Sequence, residues 1–437
     1  MRVAVTTLGC KVNQYDAASI ETRLRDEGCT IVPFAPGADV YIVNTCTVTD
    51  RADAESRQLA RRARRFSAEA RVILTGCFAQ IDPHGAAIPG VDHVVGLNRL
   101  PDLVRAVRGE LPGVAQRILV DDLRSARRVR TLGAQTFTGQ TRAFLKIQEG
   151  CDLFCSFCIV PFARGRSRSV PLRQVIDQLR MLASRGFQEV VLTGVHLGGY
   201  GGDLDPKLEL PDLLEVVAEQ VPVRRIRLSS IDPPEVTPRL LNLMARCEML
   251  CPHLHIPVQA GQDEVLRRMR RTYASGFVRE LCAAIRAQLP DAAIGTDVIA
   301  GFPGETEAQF EETLQLLEML PFTYFHVFPY SRRNGTTAAK LGGHLPPVVI
   351  KRRAQSLRRL GQRKRAEFAR SFIGRDAEVL VEEKPAGAGG SLAGYSRNYQ
   401  RVEFAGQVEM VNREVAVRIV GWQRDRLVGR LPVSPSA

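Results

Sequence analysis

The sequence lacks any long apolar run. No stretch approaches the roughly 20 consecutive apolar residues that a membrane-spanning helix requires. The first residues, MRVAVTTLGCK, contain neither an extended apolar segment nor a small-residue cleavage site, so they indicate no secretion signal. We therefore expect a cytoplasmic protein without membrane association.

Acidic residues are also scarce, with 47 Asp and Glu against 60 Lys and Arg, which gives a formal net charge of +13. The shortage is greatest in Lys351–Arg375, which contains ten Lys or Arg and one Glu. A solvated helix face usually mixes both signs of charge. A basic soluble enzyme would account for the net charge alone, whereas this local excess favours a polyanionic partner such as a nucleic acid.

One cysteine motif lacks a ligand. The chain has ten cysteines, and because thiols stay reduced in the cytosol, metal binding is favoured over a disulfide framework. The segment CDLFCSFC supplies only three thiols, from Cys151, Cys155 and Cys158, whereas a structural zinc site takes four ligands. A fourth could come from a histidine, namely His196, His253 or His255. Alternatively, an iron–sulfur cluster held by three thiolates keeps one iron open, as catalytic metal sites do.

The first 110 residues alternate strand-like and helix-like segments. The strand candidates RVAVTTLGC, DVYIVNTC and RVILTGC end at Cys10, Cys46 and Cys77. Such alternation predicts a parallel sheet flanked by helices, in which ligands collect at the carboxyl ends of the strands. A single buried thiol is commonly just a small apolar residue. Three thiols at equivalent places in successive units instead predict one shared site.

The rest of the chain predicts further units, as its 437 residues suggest. Six strand candidates lie at 144–148, 189–194, 225–230, 253–257, 294–299 and 324–328, with helices predicted at 172–184, 213–219, 275–288 and 307–320. They predict a partial (β/α)6 barrel with its site at the C-terminal strand ends. After the basic run, short strands and turns such as AGAGG predict a small antiparallel β barrel. We therefore expect a multidomain α/β protein, divided at 1–112, 113–136 (a linker), 137–370 and 371–435.

Several sequence blocks together resemble one enzyme family. CDLFCSFC matches the C-x3-C-x2-C signature of the radical S-adenosylmethionine (SAM) superfamily. LGCKVNQYD, NTCTVTDRAD, TGCFAQ, TRAFLKIQEGCD, CIVPFARGRSRS, HLHIPVQAGQD, GTDVIAGFPGET and HVFPYS are similar, in order, to segments of the radical SAM methylthiotransferases. The resemblance runs through the whole chain. It also identifies the C-terminal barrel as similar to the TRAM domain, an RNA-binding module.

The resemblance implies two [4Fe–4S] clusters. Cys151, Cys155 and Cys158 would hold the cluster whose open iron binds SAM, and one electron would cleave SAM to a 5′-deoxyadenosyl radical that removes a hydrogen from an unactivated carbon. The ligands of an auxiliary cluster, which presents sulfur methylated by a second SAM, would be Cys10, Cys46 and Cys77. No catalytic residue is assigned beyond these ligands.

The resemblance also implies contacts to SAM and RNA. Phe157 would lie near the adenine of SAM, Thr193 and Gly194 near its amino group, and Ser229 or Gln259 near its ribose or carboxylate. A glycine block would shape the adenine side, with Gly301, Pro303 and Glu305. The RNA backbone would meet the basic run, through Lys351, Arg352, Arg353, Arg358, Arg359, Arg363, Lys364 and Arg365.

Three substrate branches exist in this family. GCKVNQYD, TRAFLKIQEGCD and VLTGVHLGGYG look most like the bacterial branch that methylthiolates C2 of N6-threonylcarbamoyladenosine at position 37 of tRNA, next to the anticodon. The alternatives are isopentenyladenosine in tRNA and an aspartate of a ribosomal protein. From another class, a zinc-stabilised RNA-binding protein without catalysis is also open. We expect a monomer that takes electrons from a low-potential donor of the flavodoxin or ferredoxin kind.

Overall fold

The structure, a computed structural model, describes residues 1–111, 117–129, 133–134, 137, 141–383 and 390–432. Residues 113–116, 130–132 and 135–136 of the linker expected at 113–136 lie outside this set, as does most of the AGAGG turn at 386–390. Within the described part of the chain, no helix is both long and apolar enough to cross a membrane.

The N-terminal part folds as a single parallel sheet between two layers of helices. Its strands are β1 (Arg2–Thr7), β2 (Thr30–Val32), β3 (Val40–Thr45), β4 (Arg71–Gly76), β5 (His93–Val95) and β6 (Ile118–Leu119). Its helices are α1 (Lys11–Asp26), α2 (Asp50–Phe66), α3 (Cys77–Ile81), α4 (Pro83–Ala86) and α5 (Leu100–Arg108). The strand order β2-β1-β3-β4-β5-β6 places the strands before the three cysteines side by side. Strand β3 is buried along its whole length because helices cover both faces.

The central part is a partial barrel of parallel strands. Its strands are β7 (Arg142–Glu149), β8 (Arg168–Ser169), β9 (Glu189–Gly194), β10 (Arg225–Leu228), β11 (His253–His255), β12 (Ala293–Ala300) and β13 (Tyr324–Pro329). The sheet β10-β9-β7-β8 and the sheet β11-β12-β13 are joined only by single bridges, including Ser230 to His255. Apart from the short antiparallel β8, the six strands are parallel, which confirms the predicted barrel class.

Helices cover the outside of this barrel. They are α6 (Val160–Arg164), α7 (Leu172–Ser184), α8 (Leu210–Gln220), α9 (Pro238–Arg246), α10 (Asp263–Arg268), α11 (Ser275–Gln288), α12 (Glu307–Met319) and α13 (Pro347–Arg370). Buried apolar side chains of these helices and the strands form the largest core of the molecule. Helix α13 packs on β12 and β13 and leads directly into the C-terminal part.

The C-terminal part is a closed five-stranded barrel. Its strands are β14 (Asp376–Glu383), β15 (Ser391–Ser396), β16 (Arg401–Ala405), β17 (Glu414–Gln423) and β18 (Arg426–Arg430). Four of the pairings are antiparallel, while β16 and β18 pair in parallel.

This C-terminal barrel docks on the N-terminal ends of the central strands. At the start of β10, the buried Arg225 donates a hydrogen bond to the Glu378 carbonyl at 2.8 Å and another to Glu414 at 2.7 Å. Tyr399 lies against His253 at the start of β11, with ring centroids 4.8 Å apart. The barrel therefore closes the lower end of the central lumen.

Candidate active site

Three cysteines lie at the carboxyl edge of the N-terminal sheet. Cys10 is the N-cap residue of α1, just after β1. Cys46 directly follows β3, and Cys77 directly follows β4 as the first residue of α3. Because these three strands are adjacent and parallel, their following residues meet at one edge of the sheet.

Glycine makes the close approach of two of these cysteines possible. Gly9 has a φ of +97°, a conformation that residues with a Cβ adopt at a cost. A Cβ at this position would lie 2.8 Å from both the Cβ and the Sγ of Cys46. The turn before Cys10 therefore fits against Cys46 only without a side chain.

Burial makes two free thiols of this triad, Cys46 and Cys77, poor acids. It raises the pKa of Cys77 to about 12 and raises the pKa of Cys46. The remaining thiols of the triad act electrostatically on Cys77, which is consistent with their proximity. Metal binding requires thiolates, and a bound metal adds positive charge that favours this deprotonated form.

The second triad occupies a single loop after β7. Cys151 is buried, and Cys158 lies two residues before α6. Burial raises the pKa of each of these thiols to about 12. Arg271 donates a hydrogen bond from Nη1 to Cys155 Sγ at 2.9 Å, and its other donors reach Asp232 and Tyr273. One thiol of this triad therefore already has a positively charged donor.

The spacing of the thiols fits a cluster better than a single zinc ion. Ligand sulfurs at about 2.3 Å from a tetrahedral zinc lie about 3.8 Å from one another. Over the described residues, only His255, Asp297 and His326 bring three such ligand atoms within 4.8 Å of one another, so neither cysteine triad does. A four-iron cluster distributes its thiolate ligands over separate irons and accepts wider spacing.

A cavity of about 160 Å³ lies beside Cys158 of the central triad and the segment that follows Cys46. Val48 and Thr49, just after Cys46, line one side, and Phe157 and Cys158 line another. Gln259 also lines it and has a positive φ of +67°. A substrate in this cavity would therefore contact both cysteine loops.

The SAM-binding residues implied by the family resemblance are only partly at this cavity. Phe157 and Gln259 line it. Ser229 lies beyond the end of β10, and its buried Oγ has no hydrogen-bond partner in the described chain, which leaves it available to a ligand. Thr193 and Gly194 end β9 without lining the cavity.

The side chain of Glu305, which the resemblance assigns to the SAM site, is engaged within the protein. Its side chain accepts hydrogen bonds from the Gly301 amide at 3.1 Å and from Arg353 at 2.8 Å. Both Glu305 and Arg353 are buried, so their charges neutralise each other beneath α13. The same pair removes Arg353 from the expected RNA-binding set.

The other residues of this expected RNA-binding set divide into paired and unpaired groups. Arg352 binds Glu307 at 2.7 Å, and Arg363 binds Glu318 at 2.5 Å. Lys364 is half-buried and donates to the Leu320 carbonyl at 2.8 Å. The remaining ones are exposed and form no ion pair with described residues, namely Lys351, Arg358, Arg359 and Arg365. Lys351, Arg358 and Arg365, which we call the basic stripe, are spaced seven residues apart and share one face of the helix.

The barrel lumen contains a polar cluster that sequence reasoning missed. Asp297 accepts hydrogen bonds from His255 Nε2 at 2.8 Å and from His326 Nδ1 at 3.1 Å. Tyr324 bridges His253 at 2.8 Å and His255 at 3.1 Å. The histidines considered as a fourth cysteine-site ligand are therefore engaged elsewhere, and His196 pairs with Glu235.

Lys11 extends the positive charge of this lumen. It follows Cys10 directly and is half-buried; burial and the charges of Arg227 and Arg142 lower its pKa, whereas Tyr399 and Asp297 oppose that shift. Among the described residues, no carboxylate forms an ion pair with it. Arg142 and Arg227 are paired with Glu382 and Glu189, so a protonated Lys11 is the cation here that an anionic ligand would meet. In the sequence, the position of Lys11 directly after Cys10 was the one sign that a cation lies near this site.

Comparisons with known proteins fit this architecture. The model of the Radical SAM superfamily matches residues 145–317, and that of uncharacterized protein family UPF0004 matches residues 2–96. The structure of the radical SAM methyltransferase TsrM from Kitasatospora setae shares the fold, with a TM-score of 0.56 and 18% identity over 77% of this chain and 76% of that chain.

Two curated relatives cover almost the whole chain. The threonylcarbamoyladenosine tRNA methylthiotransferase MtaB of Bacillus subtilis (strain 168) is 39% identical over 96% of this chain and 93% of its own length. The tRNA-2-methylthio-N(6)-dimethylallyladenosine synthase of Novosphingobium aromaticivorans is 33% identical over 98% of this chain and 96% of its own length. Membership in the radical SAM superfamily implies a [4Fe–4S] cluster and SAM. The chain therefore belongs to the radical SAM tRNA methylthiotransferase family and is a radical SAM transferase.

Proposed function

We propose that this protein methylthiolates C2 of N6-threonylcarbamoyladenosine at position 37 of tRNA. The C–H bond at C2 breaks, its hydrogen leaves in 5′-deoxyadenosine, and a C–S bond forms. When bound, two [4Fe–4S] clusters supply the electron that cleaves SAM and the sulfur that is inserted, and a second SAM supplies the methyl group. The observation that carries this proposal is the cavity lined from both cysteine loops.

The residues of the chain divide the work between two loops. Cys151, Cys155 and Cys158 would hold the cluster that binds SAM, with Phe157 and Gln259 lining the space beside it. The auxiliary cluster would be held by Cys10, Cys46 and Cys77. The cavity would hold the adenosine base between the two cysteine loops. This position would exclude water from the radical and shorten the distance from C2 of the base to the sulfur that is inserted.

Two observations favour the threonylcarbamoyl branch. The Bacillus subtilis relative named for that substrate is 39% identical, against 33% for the dimethylallyl relative. The lumen beside the cavity is polar, with Lys11 lacking an ion-pair partner among the described residues. A threonylcarbamoyl group carries a carboxylate and a hydroxyl, whereas an isopentenyl group is apolar and gains nothing from a buried cation.

The remaining proposals concern the domains, the contact with tRNA and the electron donor. We assign 1–112 to the auxiliary-cluster domain, 137–370 to the radical SAM domain and 371–435 to the TRAM-like barrel. The basic stripe on α13 would contact phosphates, because its side chains are exposed and free of acidic partners in the described chain. A low-potential flavodoxin- or ferredoxin-like protein would supply electrons to a monomer.

Mass spectrometry of digested tRNA tests this function. The anaerobically reconstituted protein is incubated with SAM, a reductant and tRNA that contains both candidate modified adenosines, and a reaction without SAM is the control. We expect only threonylcarbamoyladenosine to gain a methylthio group in place of hydrogen. Modification of isopentenyladenosine alone would overturn the substrate branch. If SAM is cleaved and neither nucleoside changes, the tRNA assignment fails and the ribosomal-protein branch is favoured.

A further inference from the structure

Arg164 connects the two cysteine sites. It is the last residue of α6, which begins two residues after Cys158, and its side chain is fully buried at 1% exposure. Its Nε donates a hydrogen bond to the Sγ of Cys77 at 3.1 Å. An arginine whose backbone belongs to the central loop therefore contacts a thiol of the N-terminal triad.

The remaining donors of Arg164 are held by other buried groups. Nη1 donates to Glu149 at 2.6 Å, and Nη2 donates to Asp16 at 2.9 Å and to Asn13 at 2.5 Å. Because the fork is fixed on three sides, its Nε points in one direction, towards Cys77. A flexible lysine ammonium could not reproduce this set of directions.

Lys146 shares the two carboxylate partners of Arg164. It binds Asp16 at 2.6 Å and Glu149 at 2.5 Å. Burial opposes ionisation of Glu149, but the charges of Arg164 and Lys146 lower its pKa to about 2. The buried Arg168 adds a third cation, which donates to the Arg164 carbonyl at 2.5 Å. Arg164 thus has both carboxylates as partners, and its hydrogen bond to sulfur is an additional contact.

We propose that Arg164 is a positioning residue of the auxiliary cluster, which orients Cys77 and raises the reduction potential of the cluster through its N–H···S hydrogen bond. This inference rests on the proposed two-cluster function. A hydrogen bond to a ligand sulfur withdraws electron density and stabilises the reduced cluster, and such contacts are among the factors that set iron–sulfur potentials. Arg271 makes an equivalent contact to Cys155 in the other triad, at 2.9 Å.

Arg333 provides a matched control. It is also a buried arginine of the central part that reaches into the N-terminal part, where it binds Thr47 at 2.6 Å and Asp53 at 2.7 Å. Its hydrogen bonds in the described chain go to Asp50, Thr47 and Asp53, and none goes to a cysteine. Its replacement removes a comparable contact between the two parts without removing an N–H···S bond.

The test isolates the auxiliary cluster. Full-length protein with Cys151, Cys155 and Cys158 changed to Ala is reconstituted anaerobically, so that iron, sulfide and the EPR signal of the reduced cluster report only the N-terminal site. Arg164→Met, Arg164→Lys and Arg333→Met are each added to this background. The measurements are iron per chain and the midpoint potential in an EPR-monitored titration.

We expect Arg164→Met to lower the midpoint potential and Arg333→Met to leave it at the background value. Equal potentials in Arg164→Met and the background, or equal shifts in both Met variants, would overturn the inference. If Arg164→Met does not fold, Arg164→Lys provides the test, because lysine keeps the charge and loses the directed hydrogen bond to Cys77. An altered EPR signal in Arg164→Lys supports the inference. An unchanged EPR signal and an unchanged potential overturn it. A background without any iron–sulfur cluster would instead contradict the proposed second cluster itself.

Discussion

The two cysteine triads are assembled in different ways. The central triad is local, since Cys151, Cys155 and Cys158 lie in one loop after β7. The N-terminal triad is assembled from the ends of β1, β3 and β4 and exists only once the sheet has formed. The central site therefore depends on a short segment of chain, whereas the N-terminal site depends on strand order and on close backbone approaches such as that of Gly9.

The largest expected effect separates the two triads by function. Cys155→Ala removes a ligand proposed for the cluster that would bind SAM, so we expect no 5′-deoxyadenosine. Cys46→Ala leaves that site intact, so we expect 5′-deoxyadenosine without methylthio product. Chromatography of 5′-deoxyadenosine and mass spectrometry of tRNA measure both. Methylthio product at the wild-type rate from Cys46→Ala would show that the N-terminal triad has no such role.

The next largest effect is expected at Lys11, which follows Cys10 and lies beside the central lumen. Lys11→Met removes the partner proposed for the substrate carboxylate, and a lost hydrogen bond to a charged group costs about 1.5–3 kcal/mol, or about 10- to 100-fold in affinity. We expect KM for tRNA with threonylcarbamoyladenosine to rise by that factor. The exposed Lys207 gives the control Lys207→Met. Equal KM values for the two variants would exclude this role of Lys11.

Gly9→Ala tests whether the N-terminal triad, unlike the central one, depends on a close backbone approach. A side chain at a positive φ costs about 1–3 kcal/mol, and the added Cβ would lie 2.8 Å from Cys46 Sγ. We expect a lower melting temperature and less iron in the N-terminal site, with the central cluster unchanged. Gly374→Ala is the control, because its φ is also positive at +86° but no atom lies within 4 Å of the added Cβ. Equal iron losses in both variants would contradict the proposed crowding at Cys46.

The smallest effect is expected on the basic stripe, which belongs to neither triad. Lys351→Ala, Arg358→Ala and Arg365→Ala should each weaken tRNA binding and reduce the slope of log affinity against log salt by about 1. Arg363→Ala is the control, because Arg363 is paired with Glu318. Binding isotherms at several salt concentrations measure the slopes. An unchanged slope in the stripe variants would place the RNA on another surface.

Local patterns in the sequence predicted much of the fold. Helices α7 and α11 and strand β9 have the predicted boundaries. Strands β10 and β11 end two residues earlier than predicted, at Leu228 and His255. Beyond β10 the pairing continues only as a single bridge from Ser230 to His255 among the described residues, which joins the two sheets of the barrel.

Long-range partners were not predictable from the sequence. The basic run indicated a uniform RNA-binding face, but its position on the helix turns Arg353 inwards to Glu305. Similarly, His326 and Asp297 become neighbours only through the pairing of β12 and β13. Periodicity identifies which side of an element is buried, but the group that faces it depends on the packing of distant segments.

The docking of Tyr399 beneath the central strands suggests that the C-terminal barrel would help to shield a radical in the lumen. Its ring packs on Arg227, with the guanidinium 4.9 Å from the ring centroid, and on His253. These contacts cover the starts of β10 and β11. A truncated enzyme would therefore lose more than affinity for tRNA, because solvent entering from below could quench the reaction even after a substrate had bound.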